Sequence, residues 1–157
     1  MAASKKDELK QQVIIGAREY GIGSVLFRHM VGEKLGVNVT DMECLGLIFL
    51  KGLATPTELG RYAGLSSGAT TAMLDRLEKS GLIERRPNPN DRRSTLIAIV
   101  QARAAQIAPL FASLREAQDT LLSSYSEAEL EVLADFFRRS VVMWEEERKK
   151  LSDLQAE

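Results

Sequence analysis

The sequence predicts a mainly α fold with a small β-wing, six helices plus a β-hairpin, and three observations lead there. Helix-start signatures of the Ser/Thr-x-x-Glu type recur three times. Helical hydrophobic spacing gives way to β-like runs only between residues 82 and 100. Apolar residues near the C-terminus recur every seven positions. At 157 residues, with 45% hydrophobic and 27% charged residues, the chain has the make-up of one globular domain with a real core. No apolar run approaches the roughly 20 residues that cross a bilayer, and "MAASKKDELKQQ" at the start lacks the apolar stretch of a signal peptide. No membrane association is therefore expected. A single cysteine excludes an internal disulfide framework and fits a reducing interior, so a cytoplasmic location is expected.

The first helix is predicted over 5–35, bent near Gly21 and Gly23. Thr40-Asp41-Met42-Glu43 reads as a capping box opening a second helix over 41–51, apolar on most sides as a central buried helix should be. Thr55 to Glu58 is a second box, strengthened by Pro56 at the first helical position, where the missing N–H costs nothing. It opens a short helix, 56–62, that stops near Gly64, a suitable left-handed residue. Ser66 caps the fourth helix, which runs to Lys79 and ends at Gly81. Residues 82–86 and 95–100 are the strands, joined by "PNPNDRRST". Helix five spans 102–123, with Pro109 predicted to kink it. Ser126 to Glu129 is the third box, with Tyr125 and Leu130 placed as a hydrophobic staple, and it opens helix six over 127–150. On that helix Leu130, Phe137, Trp144 and Leu151 recur every seven residues with Ala134 and Val141 between them, a seam of coiled-coil spacing.

The net charge of −1 conceals a polarity. Residues 1–100 carry 14 Lys+Arg against 11 Asp+Glu, residues 101–157 carry 7 against 11, and Arg76, Arg85, Arg86, Arg92 and Arg93 crowd into one segment. For nucleic-acid binding the distribution matters more than the total. A helix, a tight turn at Gly64, a second helix and a hairpin are the order of a winged helix-turn-helix, whose second helix enters the major groove of double-stranded DNA. That helix opens Ser66-Ser67-Gly68-Ala69-Thr70-Thr71, small residues that let the positive helix N-terminus approach phosphate. With them, Arg76, Arg86, Asp91, Arg92 and Arg93 are the candidate DNA-binding residues. Arg85 and Arg86 are neighbours on a strand and point to opposite faces, so at most one reaches DNA. Arg76 has two readings of equal weight, a DNA contact or an ion pair with Asp75 or Asp91.

"TPTELGRYAGLSSGATTAMLDRLEKSGLIERRPNPNDRRSTLIAIV", residues 55–100, resembles the DNA-binding core of the MarR family of bacterial transcription regulators. Glu58-Leu59, Leu65-Ser66, Asp75-Arg76-Leu77-Glu78-Lys79-x-Gly81-Leu82-Ile83 and Asp91-x-Arg93 carry the resemblance, and the helical flanks extend it over nearly the whole chain. It implies a single domain over 1–157, with 37–101 as the winged DNA-binding lobe and 1–36 and 102–157 as dimerisation helices. It further implies an obligate homodimer on a pseudo-palindromic operator, most often as a repressor. The family's wing arginine, matching Arg93, enters the minor groove, and its aspartate, matching Asp91, braces the wing. Many members release DNA on binding a small phenolic or other lipophilic effector. The chain departs from the family at Gly68 and Ala72, where members often carry proline and arginine. Ala72 makes no base contact, which shifts recognition onto Thr70, Thr71, Arg76 and the wing. It also departs at Val100-Gln101-Ala102-Arg103, at the start of helix five.

Other readings have less support in the sequence. One histidine, one cysteine and no metal-ligand spacing speak against metal hydrolysis or a Ser-His-Asp site, and no P-loop or complete dinucleotide fingerprint occurs; no enzyme activity, metal or cofactor is expected. Leu130, Phe137, Val141 and Trp144 read as dimer interface, in preference to an effector pocket for the two aromatics. His29 reads as a partly buried interface histidine. Cys44, in the apolar second helix, reads as a small hydrophobe, against the alternative of a redox-responsive regulator. The other alternative is a winged-helix protein-interaction module that binds no DNA.

Overall fold

The computed structural model describes residues 4–154, and capping chemistry sets where its helices begin. Helix α1 (Lys5–Leu35) starts at Ser4, whose hydroxyl accepts the Asp7 amide at 3.2 Å, and ends at Gly36 with φ of 70°. It runs as one helix through Gly21 and Gly23. Helix α2 (Val39–Lys51) is capped by Asn38, whose Oδ1 accepts the Asp41 amide at 2.8 Å. Thr40 therefore lies inside the first turn, two residues past the cap, because Asn38 satisfies the orphan amide at least as well. Helix α3 (Pro56–Ala63) has the full reciprocal box: Thr55 Oγ1 accepts the Glu58 amide at 3.2 Å, and Glu58 Oε2 accepts the Thr55 amide at 2.8 Å. Gly64, φ 66°, turns the chain into α4 (Ser67–Lys79), where Ser66 Oγ accepts the Ala69 amide at 3.3 Å.

Gly81, φ 68°, then redirects the backbone into strand β1 (Ile83–Pro87), which pairs antiparallel with β2 (Thr95–Ile99) in the register Ile83↔Ile99 to Pro87↔Thr95. An isolated bridge adds a third segment beside β2. Ala54, between α2 and α3, donates to the Ile97 carbonyl at 3.1 Å and accepts the Ile97 amide at 2.7 Å, tying the wing to the helices. The predicted fifth helix divides into α5 (Gln101–Ile107), a 3₁₀ turn (Ala108–Phe111) and α6 (Ala112–Leu122). Pro109 sits in that turn, lacking the N–H that an uninterrupted helix needs. Val100 stands at the N-cap of α5 without a side-chain cap. Helix α7 (Glu127–Leu154) opens on the third box: the Ser126 amide donates to Glu129 Oε2 at 2.8 Å, and Ser126 Oγ accepts the Glu129 amide at 3.4 Å.

The chain forms two compact units, Met1–Leu110 and Phe111–Glu157. The first unit centres on α2. Its buried core comprises Met42, Cys44, Leu45 and Ile48 of α2, Val31 of α1, Leu59 of α3, Met73, Leu74 and Leu77 of α4, and Ile83 and Ile97 of the hairpin. This core fixes α4 and the wing as parts of one body. In the second unit, no described residue of α6 or α7 is buried. No described helix is long and apolar enough to cross a membrane.

Candidate nucleic-acid interface

The contact between α3 and α4 depends on Gly60. A Cβ there would lie 2.5 Å from Thr70 Oγ1. Thr70 is 4% exposed and its hydroxyl donates to the Ser66 carbonyl at 2.9 Å. It belongs to the packing face, so it is withdrawn from the base-reading set predicted for this helix. Its spacing to Met73, Leu74 and Leu77 is that of a single helix face, a signal present in the sequence. The exposed residues of the first two turns are Ser67, Gly68, Ala69, Thr71 and Ala72. Thr71 gives its hydroxyl proton to the Ser67 carbonyl at 3.0 Å, leaving an acceptor oxygen and a methyl group for an outside partner.

Ion pairs hold the charged half of α4. Arg76 donates through Nη2 to Asp41 Oδ1 at 2.8 Å and through Nε to Asp41 Oδ2 at 3.4 Å. Its partner is thus on α2, neither Asp75 nor Asp91, and that hydrogen bond, with the Asp41 charge, raises the guanidinium pKa above its ordinary value. Arg85 turns to α4, reaching Asp75 at 2.6 Å and also Glu78. Arg86 points away, exposed, with Nε donating to Glu84 at 2.8 Å. The opposite-face expectation for the two strand arginines is met, and Arg85 is the structural member.

The wing tip is built by its own side chains. Asn88 Oδ1 accepts the Asn90 amide at 3.0 Å, while its amide nitrogen donates to Ser94 Oγ at 2.6 Å. Asp91 Oδ1 accepts the Arg93 amide at 2.9 Å and the Asp91 carbonyl accepts the Ser94 amide at 3.0 Å, closing a turn that Asp favours for this reason. Arg92 and Arg93 are fully on the surface, and no described carboxylate pairs with either. A hydrogen-bonded tip thus presents two unneutralised guanidinium groups near the small-residue start of α4 in sequence and on the same body.

Below these elements, Glu58 joins the α3 cap to α2 by accepting Lys51 Nζ at 3.0 Å. The Thr55 amide, then the Lys51 and Thr55 side chains, hold the Glu58 carboxyl at about 2, below its ordinary 4.5. Because the folded pKa is depressed, the contribution is full above about 4.5 and is lost as pH falls towards 2. Glu58→Gln should therefore flatten acid destabilisation across that window in thermal melts, and an unaltered pH profile would refute the assignment.

Cys44 is 0% exposed, and burial, with Asp41 and Glu43 nearby, pushes its thiol up to about 11. A thiol so protected holds little thiolate at neutral pH, which speaks against the redox-switch alternative. His29 is exposed on α1 in the single chain, beside Glu33 at 3.6 Å. Of the seam residues, Phe137, Val141 and Trp144 are exposed at 51%, 59% and 62%, and Leu130 is half-buried. Among the described residues no three potential metal-ligating side chains come together.

The family model described as the MarR family matches residues 37–95. An uncharacterized HTH-type transcriptional regulator of Bacillus subtilis, YcgE, is 35% identical over 148 residues, 94% of this chain and 96% of its own. The HTH-type transcriptional regulator MhqR of the same organism is 28% identical over 83% of this chain and 89% of its own. Among solved structures, a transcriptional regulator of Thermotoga maritima aligns with a TM-score of 0.60 at 21% identity, covering 86% of this chain and 95% of its own. A mutant MarR from E. coli complexed with operator DNA aligns with a TM-score of 0.50 at 24% identity, covering 88% of this chain and 99% of its own. The solved structures share the fold of this chain, and the 35% identity to YcgE extends over almost the full length of both chains. The chain belongs to the MarR family of transcriptional regulators.

Proposed function

We propose that this regulator is a homodimer that binds a pseudo-palindromic operator in double-stranded DNA in the cytoplasm, acting as a repressor that a small lipophilic or phenolic effector relieves. The observation that carries the DNA reading is the wing tip, where Asp91 and Asn88 stiffen a loop that exposes the Arg92 and Arg93 side chains, with which no described carboxylate pairs. Fixed, unneutralised arginines suit a narrow minor groove. Ser66, Ser67, Gly68, Ala69 and Thr71 then meet the major groove and its phosphates, with Arg86 reaching the backbone. The E. coli relative solved with operator DNA supports this reading.

Dimerisation through segments 1–36 and 102–157, within one domain over 1–157, rests on exposed apolar surface. Helix α1 has 31 residues, of which only Val31 and Gly32 are buried, and it exposes Val13, Ile14, Ile15, Ile22 and Leu26. Helix α7 exposes Phe137, Val141, Val142 and Trp144. Large exposed apolar side chains on each of these helices mark an interface, and Leu130, Phe137, Val141 and Trp144 are assigned to it.

One observation favours the second reading, a protein-interaction module. With Thr70 buried and Arg76 held by Asp41, few side chains of α4 remain to read bases. Selection of bound fragments from the source genome, followed by salt titration and sedimentation, tests the choice. A recovered duplex bound by a dimer, with a log–log salt slope near −0.9 per phosphate contact, is expected. Failure to retain any duplex favours the second reading.

A further inference from the structure

Among the described residues Asp41 is the one buried charged side chain, 3% exposed. Burying a carboxylate is unfavourable unless it is paired and hydrogen-bonded, and here the whole fork of Arg76 answers it, at 2.8 and 3.4 Å. The bond joins the first turn of α2 to the third turn of α4, 35 residues away. Two residues further along α2, Glu43 accepts Arg28 Nε of α1 at 2.7 Å, and Arg28 also donates to Ser24. Helices α1 and α4 are thus fastened to the same end of α2, one by each carboxylate.

We propose that Asp41 is a positioning residue for DNA binding: through Arg76 it fixes the angle at which α4 is presented, and Arg76 acts on the protein rather than on a phosphate. This rests on the DNA-binding reading above. Two physical points favour positioning. A pair of net zero charge displaces few counterions from DNA, so it adds little to the electrostatic part of binding. What the fork does supply is direction, since two near-parallel bonds to one carboxylate fix orientation as well as distance. The Arg28–Glu43 pair extends the same constraint to α1. Because the Asp41 carboxylate is only 4% exposed, removing Arg76 would also leave a buried charge unpaired, so thermal melts accompany every variant.

The test compares wild type, Asp41→Asn, Arg76→Gln and the double substitution on a selected duplex over a range of salt, with thermal melts to show that each is folded. Removing a negative charge that plays no positioning part would leave operator affinity unchanged or raise it. Asp41→Asn should instead lower it by about tenfold, Arg76→Gln should do the same, and the double should be no weaker than the weaker single. The log–log salt slope should stay constant throughout. An arginine that contacts phosphate would make the slope shallower by about 0.9 in Arg76→Gln, and that result overturns the proposal, as does wild-type affinity in Asp41→Asn. If Asp41→Asn does not fold, Arg76→Lys decides: it keeps the charge and loses the fork, so near-wild-type binding overturns positioning and about tenfold weaker binding upholds it. A wild-type chain that binds no duplex removes the DNA reading and this inference together, whereas the other adverse results remove the inference alone.

Discussion

Replacing Arg93 by alanine is expected to weaken operator binding at matched salt by about 5- to 150-fold, equivalent to the roughly 1–3 kcal/mol of a well-placed arginine contact, and to leave the fold intact. The guanidinium has no described intramolecular partner, so its removal strands nothing, and the melting curve should shift by no more than the equivalent of about 0.5 kcal/mol. The backbone of Arg93 does matter, because its amide is what Asp91 holds at 2.9 Å. Asp91→Ala should therefore weaken binding without touching a DNA-facing charge, while Asp91→Asn, which keeps the accepting oxygen, should restore much of it. Arg93→Lys retains the charge but not the flat fork, and is expected to fall between wild type and alanine. Gel-shift titration resolves these differences. Equal affinity for wild type and Arg93→Ala would falsify the wing assignment.

Gly60→Ala is expected to destabilise the winged lobe by about 1–3 kcal/mol, the usual range for overpacking. The sign is informative because two effects compete. In a helix interior alanine is favoured over glycine by roughly 0.5–1 kcal/mol, and α3 would gain from it elsewhere. At residue 60 the new methyl lies 2.5 Å from Thr70 Oγ1, inside contact distance. Thr70 is buried and bonded to the Ser66 carbonyl, so it cannot swing aside without losing that bond. Steric overlap outweighs propensity. Urea unfolding of Gly60→Ala, Thr70→Ala and the double tests this: the double should be more stable than the sum of the singles implies, since Thr70→Ala removes the clashing oxygen. Strict additivity would show that the two helices do not meet there.

The elements that could be read in the sequence were those whose determinants lie within a few residues of one another. Thr55 with Glu58 and Ser126 with Glu129 are reciprocal caps whose partners sit three positions apart, and both form as read. Pro109 interrupts its helix for an equally local reason. At the start of α2 two capping residues, Asn38 and Thr40, stand close together. Asn38 takes the cap, and Asp41 at the third helical position does not reach back to it because its carboxylate is engaged by Arg76. That pairing spans 35 positions and has no signature along the chain. Neither has the Ala54–Ile97 rung, a single residue acting as a strand. The exposure of Arg92 and Arg93 agrees with the tip read from "PNPNDRRST", whereas the burial of Thr70 was missed because its hydroxyl suggested a polar face when its spacing placed it with Leu74 and Leu77.

The division of α4 into a packing set and an outward set bears on how such a regulator diverges after gene duplication. Thr70, Met73, Leu74 and Leu77 are buried, while Ser67, Ala69, Thr71 and Ala72 are exposed, with no residue shared between the two. Exchanges at the outward positions leave the core untouched, and surface exchanges of that kind usually change stability by less than about 0.5 kcal/mol. A duplicated copy can therefore drift to a new target sequence through single substitutions without first acquiring a stabilising change. Small side chains at these outward positions add to that freedom, since they contribute nothing to the buried core.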